Sequence, residues 1–549
     1  IYVNLAIEEA LLRATRFTPI RMSKKRAEEM KKSILGPIVG PPVHSLLFLY
    51  RNSPCVVIGR NQCPWREANA QAFAQSAVSL PWSSIRGRPQ PEHPDGRFPP
   101  VLARRISGGG AVYHDEGNAC FSFLSHRDDY DPARNVRFLQ DFLGTGVEGF
   151  KIPQQASHKH TPDQLFNLAP VAAEDMQTSS RHDLFVSHAQ QECTDATTGT
   201  DEKKKLMRKI TGSAMKITRD TAYHHCTMLV SSELSTIGAS LRSSLATAPK
   251  NVKDTENEKG EVASQLPEAD TSTKPLVTKS TGVDSVRSPV TSLLSEGILS
   301  LSSNHRSSHG ADASHHLAHD RNLQARVTDG FMAAAADHYC RFMDRDVASV
   351  KGSDQPNISH HGSTSPTSES FSIGELDACA GRFVDNPLPN GKPAKVDHVY
   401  LSDSILQTRD WKWIFGKGPK FTTKLTLIES GAEITISTTV ANGAVTSFFV
   451  EVPSNEELEG WLQEQFDELL KAHGNGDGAL RLSPPENAGD ACLKRAIRSL
   501  ADADCAVKKQ KTSEGATRTT IPVGFETVCQ ARSLLEAVLN GWFEKHAWY

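Results

Sequence analysis

Three glycines stand between a pair of arginines and a tyrosine–histidine pair in RRISGGGAVYHDEGNACFSF, residues 104–123. Glycine lacks a Cβ atom, so the backbone at Gly108–Gly110 can adopt positive φ and lie very close to another molecule. The guanidinium groups of Arg104 and Arg105 can pair with a carboxylate or a phosphate. The alternating residues that follow predict a strand, a turn and a second strand. The stretch therefore predicts a loop that binds a small anion through amides and guanidinium groups.

Two further segments concentrate polar residues that can do chemistry. KITGSA begins with Lys209, and AYHHCT contains His224 and His225. A lysine beside Gly-Ser can hold its ammonium group over a phosphate or a reacting carboxylate, and the backbone amides add donors. The chain has no G-x-x-x-x-G-K-[ST] motif, and its G-x-G-x-x-G match at 144–149 ends a predicted helix instead of opening one, so a bound nucleotide requires another design of site.

Each of these features, taken alone, has an ordinary structural explanation. Gly108–Gly110 would be a tight turn, and Lys209, which ends the charged run DEKKKLMRK, would lie on a solvated surface. His114 and His225 would be hydrogen-bonded histidines of a core. Only their occurrence together favours a functional site.

Regular apolar spacing predicts the elements that position these residues. YVNLAIEEALL predicts a helix with Asn4 as its N-cap. SLLFLYRNSPCVVIGR predicts two buried strands, Leu46–Tyr50 and Cys55–Ile58. DPARNVRFLQDFLGTGV predicts an amphipathic helix that ends at glycine.

The region Lys412–Ala472 predicts a small α+β module of three strands and a helix. Its strands alternate apolar and polar residues and include Asn442-Gly443, a strong hairpin signal. The helix SNEELEGWLQEQFDELLKA has Ser454 or Asn455 as its expected N-cap. A last helix is predicted near ARSLLEAVLNGWFEKHAWY.

Composition argues against several classes of protein. The 549 residues carry a formal net charge of -3, which does not indicate a general nucleic-acid or membrane-surface binder. Ten cysteines include no C-x-x-C pair, which argues against a zinc site and a disulfide framework. No apolar run reaches the roughly 18 residues that span a bilayer. Because the chain starts at Ile1, we expect its natural N terminus, with any targeting peptide, to lie upstream.

Five blocks together resemble the lipoate-protein ligase A family of the biotin/lipoyl protein ligase superfamily. They are NLAIEEALL; LFLYRNSPCVVIGRNQCPWREAN; RRISGGGAVYHDEGNACFSF; RHDLFV leading into KITGSAMKITRDTAYHHCTML; and GVDSVRSPVTSLL. The resemblance implies an α/β (α+β) catalytic domain with a mixed, mostly antiparallel sheet flanked by helices, followed by a small α+β accessory domain. Long polar inserts favour a eukaryotic, fungal-like member.

This resemblance also sets the expected domain organisation. We expect a lipoyl-ligase catalytic domain at 1–345, mostly linker at 346–400, and a C-terminal accessory domain at 401–549. Polar segments with few large apolar groups cannot offset chain entropy. Disordered inserts are therefore predicted at about 13–42, 81–100, 152–180, 246–281 and 302–326, with a low-complexity insert at about 473–520.

The resemblance implies ATP-dependent activation of lipoate to lipoyl-AMP, with Mg²⁺, and transfer of the lipoyl group to a carrier lysine. It implies that Lys209 is the catalytic residue. It assigns ATP or adenylate binding to Arg105, Gly110, Ala111, Val112, Tyr113, Lys209 and Asp183. It assigns lipoate binding to Ser107, His114, His225 and Lys209. Asp183 is also the expected metal ligand.

The expected partners are lipoyl carrier domains, namely E2 subunits of 2-oxoacid dehydrogenase complexes and the glycine cleavage H protein. No nucleic-acid or membrane partner is expected, and the protein is expected to be a monomer. By resemblance alone, its expected location is the mitochondrion.

Three positions depart from the family pattern. Cys226 stands where glycine is usual, His182 where asparagine is usual, and Lys216 where arginine is common. Lysine keeps the charge but loses the bidentate fork of arginine. We expect these changes to affect substrate choice, and the thiol of Cys226 to alter the acyl pocket.

Two alternatives stay open at the level of sequence. One is an acyltransferase of the same fold that takes octanoyl or lipoyl from an acyl-carrier protein, CoA or preformed lipoyl-AMP, because fold does not fix function. Cys226 is the candidate nucleophile for a covalent route. The other is a regulator that binds the ligand without transferring it, which the presence of Arg105, Lys209 and Asp183 disfavours.

Overall fold

The structure is a computed structural model. It describes residues 1–14, 17, 44–68, 101–151, 165–187, 206–241, 246–247, 276–286, 288–301, 321–351, 376–377, 382–383, 404–408, 410–429, 431–474, 510–511, 517–518 and 538. Its helices are α1 (Tyr2–Ala14), α2 (Pro64–Glu67), α3 (Pro132–Thr145), α4 (Leu234–Ser240), α5 (Arg321–Lys351), α6 (Trp411–Ile414) and α7 (Glu456–Gly474). In the described part of the chain, no helix combines the length and apolar character needed to cross a membrane.

The strands are numbered in chain order. They are β1 (Ser45–Arg51), β2 (Cys55–Ile58), β3 (Val101–Arg104), β4 (Val112–His114), β5 (Asn118–His126), β6 (Val147–Lys151), β7 (Leu165–Leu168), β8 (Met176–Thr178), β9 (Leu184–Val186), β10 (Arg208–Lys209), β11 (Thr211–Ile217), β12 (Thr221–Leu229), β13 (Ala246–Thr247), β14 (Leu276–Ser280), β15 (Leu299–Leu301), β16 (Leu376–Asp377), β17 (Arg382–Phe383), β18 (Phe421–Glu429), β19 (Ala432–Ala441), β20 (Ala444–Glu451), β21 (Gln510–Lys511) and β22 (Thr517–Arg518).

The chain divides into two compact units. The first unit contains Ile1–Gly59, Ala103–Gly238 and Ser285–Arg409. The second contains Arg60–Leu102, Ala239–Asp284 and Asp410–Tyr549. The second unit thus includes segments from within residues 1–345, and the domain boundaries expected from sequence stay a prediction.

A four-stranded antiparallel sheet in the order β1-β5-β12-β11 is the centre of the first unit. In its register, Phe121 of β5 lies opposite Leu49 of β1 and Cys226 of β12. Side chains alternate between the two faces of a strand. The sheet therefore has two distinct faces, and each is covered by different helices.

One face packs against α3 and α5 and forms the larger apolar core. The ring of Phe138 lies 5.1 Å from that of Tyr339, and the ring of Phe142 lies 5.2 Å from that of Phe331. Helix α3 begins where Asp131 accepts a hydrogen bond from the Arg134 amide at 3.0 Å. It ends at a glycine with φ 65°, as the sequence predicts.

The opposite face packs against α1 through a smaller apolar cluster. Buried Glu9 of α1 accepts hydrogen bonds from Lys216 of β11 at 2.5 Å and from Arg13 at 2.6 Å. The prediction that Asn4 caps α1 is wrong. The helix begins before it, and the Asn4 amide donates instead to Asn52 Oδ1 at 2.8 Å and to the Arg51 carbonyl.

The described residues form three further sheets of three strands each. Their orders are β3-β2-β4, β10-β9-β8 and β15-β7-β6. The first sheet holds the ends of the glycine loop, defined here as residues 105–111. The second pairs Lys209 of β10 with Phe185 of β9.

The second unit contains a five-stranded sheet in the order β13-β14-β18-β19-β20, with α7 packed on β20. The predicted three strands and helix are confirmed as β18, β19, β20 and α7. Asn442 and Gly443 have φ of 53° and 74°, which fits the predicted tight hairpin. Asn455 is the N-cap, because its Oδ1 accepts from the Leu458 amide at 3.0 Å.

Several segments predicted as disordered include residues that the structure places in strands or helices. In the segment 152–180, β7 contributes Phe166 and Leu168 to the apolar core. The segments 246–281 and 302–326 include β13 with β14 and the start of α5, respectively. A few apolar residues suffice here because an existing sheet or core supplies the rest of the contact. The insert 81–100, nearly all of 13–42 and the last helix except Val538 lie outside the described residues.

The predicted fold class is confirmed. The described chain is a mixed α/β structure whose sheets are mostly antiparallel and flanked by helices.

We predict that Phe142→Ala lowers the free energy of unfolding by about 3–5 kcal/mol, because it empties a site at the centre of the larger core. The matched control is Arg137→Ala on the same helix. Arg137 forms an exposed ion pair with Asp131, so its loss should cost about 1 kcal/mol or less. Urea denaturation measures both, and equal effects of the two changes would contradict this account of the core.

Candidate functional site

The glycine loop folds around the side chain of Arg105. The guanidinium donates from Nε to the Gly108 carbonyl at 2.9 Å and from Nη2 to the Gly110 carbonyl at 2.7 Å. Nη1 donates to the Val57 carbonyl at 3.3 Å. Burial lowers the pKa of Arg105 to about 10, which leaves it charged at neutral pH. The immediate partners of this cation are therefore backbone carbonyls, and its expected contact with ligand oxygens stays a prediction.

Two glycines are required where the loop passes its neighbours. A Cβ atom on Gly59 would lie 2.2 Å from the carbonyl oxygen of Gly109. Gly109 itself has φ 101°, and a Cβ there would lie 2.5 Å from Arg105 Nη2 and 3.1 Å from the Ser213 carbonyl oxygen. The glycine loop thus lies directly against β11 of the KITGSA segment.

A further contact fixes the end of the glycine loop. The Ala111 amide donates to Ser285 Oγ at 2.8 Å. Sequence reasoning did not single out Ser285, although it lies in the block GVDSVRSPVTSLL. No local pattern could reveal this contact, since the two residues are 174 positions apart.

Lys209 and Asp183 form an ion pair with 2.8 Å between Nζ and Oδ2. Their side chains are only 20% and 10% exposed, so water screens the pair weakly. The backbone of Lys209 is also fixed, because its amide donates to Pro289 and its carbonyl accepts from Thr291, both at 2.9 Å. The structure therefore brings together two of the residues predicted for adenylate binding.

A small cavity lies where the glycine loop, β11 and α1 meet. It is about 20 Å³ in volume, which is room for a single water molecule. Its lining includes four of the predicted site residues, Arg105, Val112, His114 and His225. The other lining residues are Ile1, Leu5, Glu8, Tyr50, Val57, Gly212, Ser213, Ala214 and Thr227.

Four other predicted residues are close in sequence to the lining residues but do not line the cavity themselves. They are Ser107, Gly110, Ala111 and Tyr113. Ser107 and Tyr113 have buried side chains, and Gly110 and Ala111 contribute to the end of the glycine loop. In the β2–β4 pairing, Val112 lies opposite Val57 and Tyr113 opposite Val56. Backbone contact of Gly110–Tyr113 with a nucleotide therefore stays a prediction.

His114 presents an unsatisfied polar atom in the cavity lining. Its Nδ1 accepts from the Asn52 side-chain amide at 2.7 Å. Burial lowers the pKa of His114 well below its usual value, so the ring is neutral and carries its proton on Nε2. Nε2 has no hydrogen-bond partner among the described residues. A buried donor of this kind suits a polar atom of a bound molecule.

His225 lies between two polar groups of the same cavity. Its Nδ1 donates to Glu8 Oε1 at 3.1 Å, and the Tyr50 hydroxyl lies 3.4 Å from the same nitrogen. Glu8 is a site residue that sequence reasoning missed. The available signal was its position in the apolar stripe of α1, with Leu5 three residues before it and Leu12 four residues after it.

The expectation that Cys226 alters the acyl pocket is wrong for this structure. Cys226 belongs to the larger core, on the face of the sheet opposite His225, and does not line the cavity. Its Sγ lies 3.3 Å from His224 Nε2 and 3.7 Å from Ser213 Oγ. Burial raises the pKa of the Cys226 thiol to about 12. The alternation of side chains along β12 explains the error, because adjacent residues point to opposite faces.

The described residues offer few ligands for the predicted metal ion. Among the described residues, no three of His, Cys, Asp or Glu are grouped so as to hold an ion. One oxygen of Asp183, the predicted metal ligand, is bound to Lys209. A single carboxylate nevertheless fits Mg²⁺, which commonly uses one or two carboxylates together with the phosphates of a substrate.

The family model of the lipoyl protein ligase A/B catalytic domain matches residues 1–302. The chain belongs to this family. The resemblance seen in the five sequence blocks is thereby confirmed, while the eukaryotic origin stays a prediction.

Solved lipoate ligases show what this family member is similar to. LipL1 of P. falciparum, in complex with lipoate, shares 17% identity over 84% of this chain and 85% of its own, with a TM-score of 0.33. A bi-partite lipoate protein ligase of Thermoplasma acidophilum, described with its E2 lipoyl domain, shares 19% identity over 46% of this chain and 63% of its own, with a TM-score of 0.24. A lipoate-protein ligase A bound with ATP shares 20% identity over 44% and 67%, with a TM-score of 0.23. Membership of the family rests on the family model.

We predict that Gly109→Ala opens the glycine loop of this lipoyl ligase family member, since alanine is strained at φ 101° and would meet Arg105. Hydrogen exchange of the amides of residues 105–111, followed by mass spectrometry, should become faster. Gly108→Ala is the matched control, because nothing lies within 4 Å of a Cβ at that position. Equal exchange rates in the two variants would refute the requirement for glycine at residue 109.

Proposed function

We propose that this chain is an ATP-dependent lipoate–protein ligase. The observation that carries the proposal is the contact of the glycine loop with β11, which places loop, KITGSA strand and cavity side by side. Its family supports lipoyl chemistry, and the same strand segment continues from Lys209, the proposed cation of the site. The lining also offers a neutral donor, His114 Nε2–H, to a bound acyl group.

The reaction balances in two steps. A lipoate carboxylate oxygen attacks the α-phosphorus of ATP, an anhydride bond forms, and pyrophosphate leaves. The ε-amine of a carrier lysine then attacks the acyl carbonyl, an amide bond forms, and AMP leaves with the electron pair of the broken anhydride bond. The attacking amine gives up one proton. Neither step needs a nucleophile from the protein.

Charge is the main obstacle in the first step. A carboxylate and a phosphate repel each other, so the site must supply cations and amide donors to the reacting oxygens. Lys209 supplies an ammonium group that Asp183 holds in place, and the amides of the glycine loop are the proposed donors to the phosphate. Mg²⁺, held by Asp183 and the phosphates, would add positive charge at those oxygens.

Substrate binding requires movement of the cavity lining. A cavity of about 20 Å³ does not hold an acyl chain. Helix α1 contributes Leu5 and Glu8 to the lining, so a shift of this helix or of its side chains would enlarge the cavity. Closure around a bound acyl group would also exclude the water that hydrolyses an anhydride.

The proposed protein partners are lipoyl carrier domains, such as those of E2 subunits and the glycine cleavage H protein. Each presents a lysine on an exposed turn, as the second step requires. A monomeric state and a mitochondrial location are likewise proposals from family resemblance.

The second candidate is a lipoyl or octanoyl transferase that uses an acyl-carrier protein, CoA or preformed lipoyl-AMP. A version with a covalent Cys226 intermediate is disfavoured by one observation: the thiol is buried, and its raised pKa keeps it protonated at neutral pH. A transferase that starts from preformed lipoyl-AMP differs from the ligase only in that it does not form the acyl-adenylate from lipoate and ATP. Pyrophosphate release from lipoate and ATP distinguishes the two.

We predict that Lys209→Ala lowers the rate of lipoate-dependent pyrophosphate release by about a hundredfold or more, because it removes the cation at the reacting oxygens. Lys424→Ala is the control, since Lys424 forms an exposed ion pair on β18. Mass spectrometry of an apo carrier domain measures lipoyl transfer in parallel. Transfer from lipoyl-AMP without pyrophosphate release in the unaltered protein would favour the transferase, and an active Lys209→Ala variant would contradict the role of Lys209.

We predict that Cys226→Ser keeps the transfer rate within about twofold, because no covalent step is proposed. Because burial raises the pKa of the Cys226 thiol to about 12, the thiol is protonated at pH 8 and ionises only as pH approaches 12. Labelling of Cys226 by iodoacetamide at pH 8 should accordingly be slower than that of half-buried Cys340. An acyl thioester trapped on Cys226 would overturn this prediction and support the covalent transferase.

A further inference from the structure

Two hydroxyl groups of KITGSA contact the backbone that presents Asp183. Thr211 Oγ1 accepts from the Leu184 amide at 2.6 Å, and Ser213 Oγ donates to the His182 carbonyl at 2.8 Å. These bonds lie on the two sides of Asp183 in the chain. The segment that carries Lys209 therefore also holds the backbone on both sides of the carboxylate to which Lys209 is paired.

The turn that carries Asp183 depends on such support. Ser179 closes it, since the Ser179 amide donates to the Asp183 carbonyl at 2.9 Å and Ser179 Oγ accepts from the Asp183 amide at 3.2 Å. His182 adopts φ 62°, a left-handed conformation that is unfavourable for residues with a Cβ atom. Conformations of this kind persist only where surrounding contacts hold them. The Ser213 hydroxyl provides one such contact at the His182 carbonyl itself.

We propose that Ser213 is a positioning residue, which acts through the His182 carbonyl to hold Asp183 against Lys209. The Lys209 ammonium is thereby kept at one place and in one orientation for the reacting oxygens. This inference rests on the proposed ligase function for its catalytic consequence, but the geometry of the Asp183–Lys209 pair can be tested without any activity.

Ser213 also lines the cavity, so a direct contact with substrate is the competing explanation. The two explanations differ in what they affect. Loss of a substrate contact made equally in ground and transition states raises KM, whereas a displaced Lys209 lowers kcat. Loss of a positioning contact also disturbs the ion pair when no substrate is present.

The first experiment compares Ser213→Ala, Ser213→Thr and Ser125→Ala in the full chain. Ser125 is a matched control: it lies in the same central sheet, is buried, and donates to the carbonyl of a histidine, His126, at 3.1 Å. We expect kcat for pyrophosphate release to fall about tenfold to a hundredfold in Ser213→Ala, because small misplacements of reacting groups have effects of this size. KM for lipoate should change less than about twofold. Ser213→Thr, which keeps the hydroxyl, and Ser125→Ala should retain kcat.

The second experiment measures how fast a small amine-reactive ester labels Lys209, without ATP or lipoate, by mass spectrometry of the digested protein. A paired ammonium group is shielded from such a reagent. Asp183→Asn, which removes the negative charge of the pair, should speed up the labelling of Lys209. Ser213→Ala should also speed it up severalfold, while Ser125→Ala should not. This result would stand even if the protein proved not to be a ligase, so failure of the function and failure of the inference are distinguishable.

A double-mutant cycle completes the test. If Ser213 acts through Asp183, then Ser213→Ala should have no further effect on labelling or kcat once Asp183→Asn is in place. Additive effects of the two changes would overturn the proposal. Unchanged labelling in Ser213→Ala, or a rise in KM with kcat retained, would also overturn it and assign Ser213 to substrate contact.

Discussion

The buried guanidinium group of Arg105 is the interaction on which the site depends. It satisfies the carbonyls of Gly108 and Gly110 from inside the glycine loop, so the loop is folded before any ligand arrives. The absence of Cβ atoms at Gly59 and Gly109 allows the loop to lie against β11. Without this cation, the loop carbonyls would be left without partners, and the contact that brings loop and KITGSA together would be lost. A preformed loop also spares the cost of ordering it when a substrate binds.

The two faces of the central sheet pack against different helices. One face is apolar and packs against α3 and α5, which stabilises the first unit. The other face meets α1, and there Glu8 and Glu9 bring two carboxylates below the surface. Buried charges are tolerated only when they are paired. His225 and Lys216 supply the partners, so the electrostatics that position α1 also shape the cavity.

Local patterns predicted the local features of this chain. The Asn442-Gly443 hairpin, the Asn455 cap and the need for glycine in the loop follow from φ preferences and hydrogen bonding of nearby residues. Predictions failed where a residue's partner is distant in the chain. Asn4 contacts Asn52, and Ser285 contacts Ala111. Both hydrogen bonds depend on tertiary packing, because it brings the two partners together. For the same reason, β14 is ordered despite its polar surroundings, since its pairing with β18 compensates for its low apolar content.

Two of the positions that depart from the family pattern lie close together in the structure. His182 and Cys226 are far apart in sequence, yet both contact Ser213. The imidazole rings of His182 and His224 are also 6.1 Å apart, and His224 contacts the Cys226 thiol. Because Cys226 faces away from His225, its thiol contacts Ser213 and His224 and does not line the cavity. If Ser213 positions Asp183 as proposed, the changes at these two positions would affect how the Lys209–Asp183 pair is held. The cavity on the α1 face, which Glu8, Tyr50 and His114 line, is the proposed determinant of substrate choice.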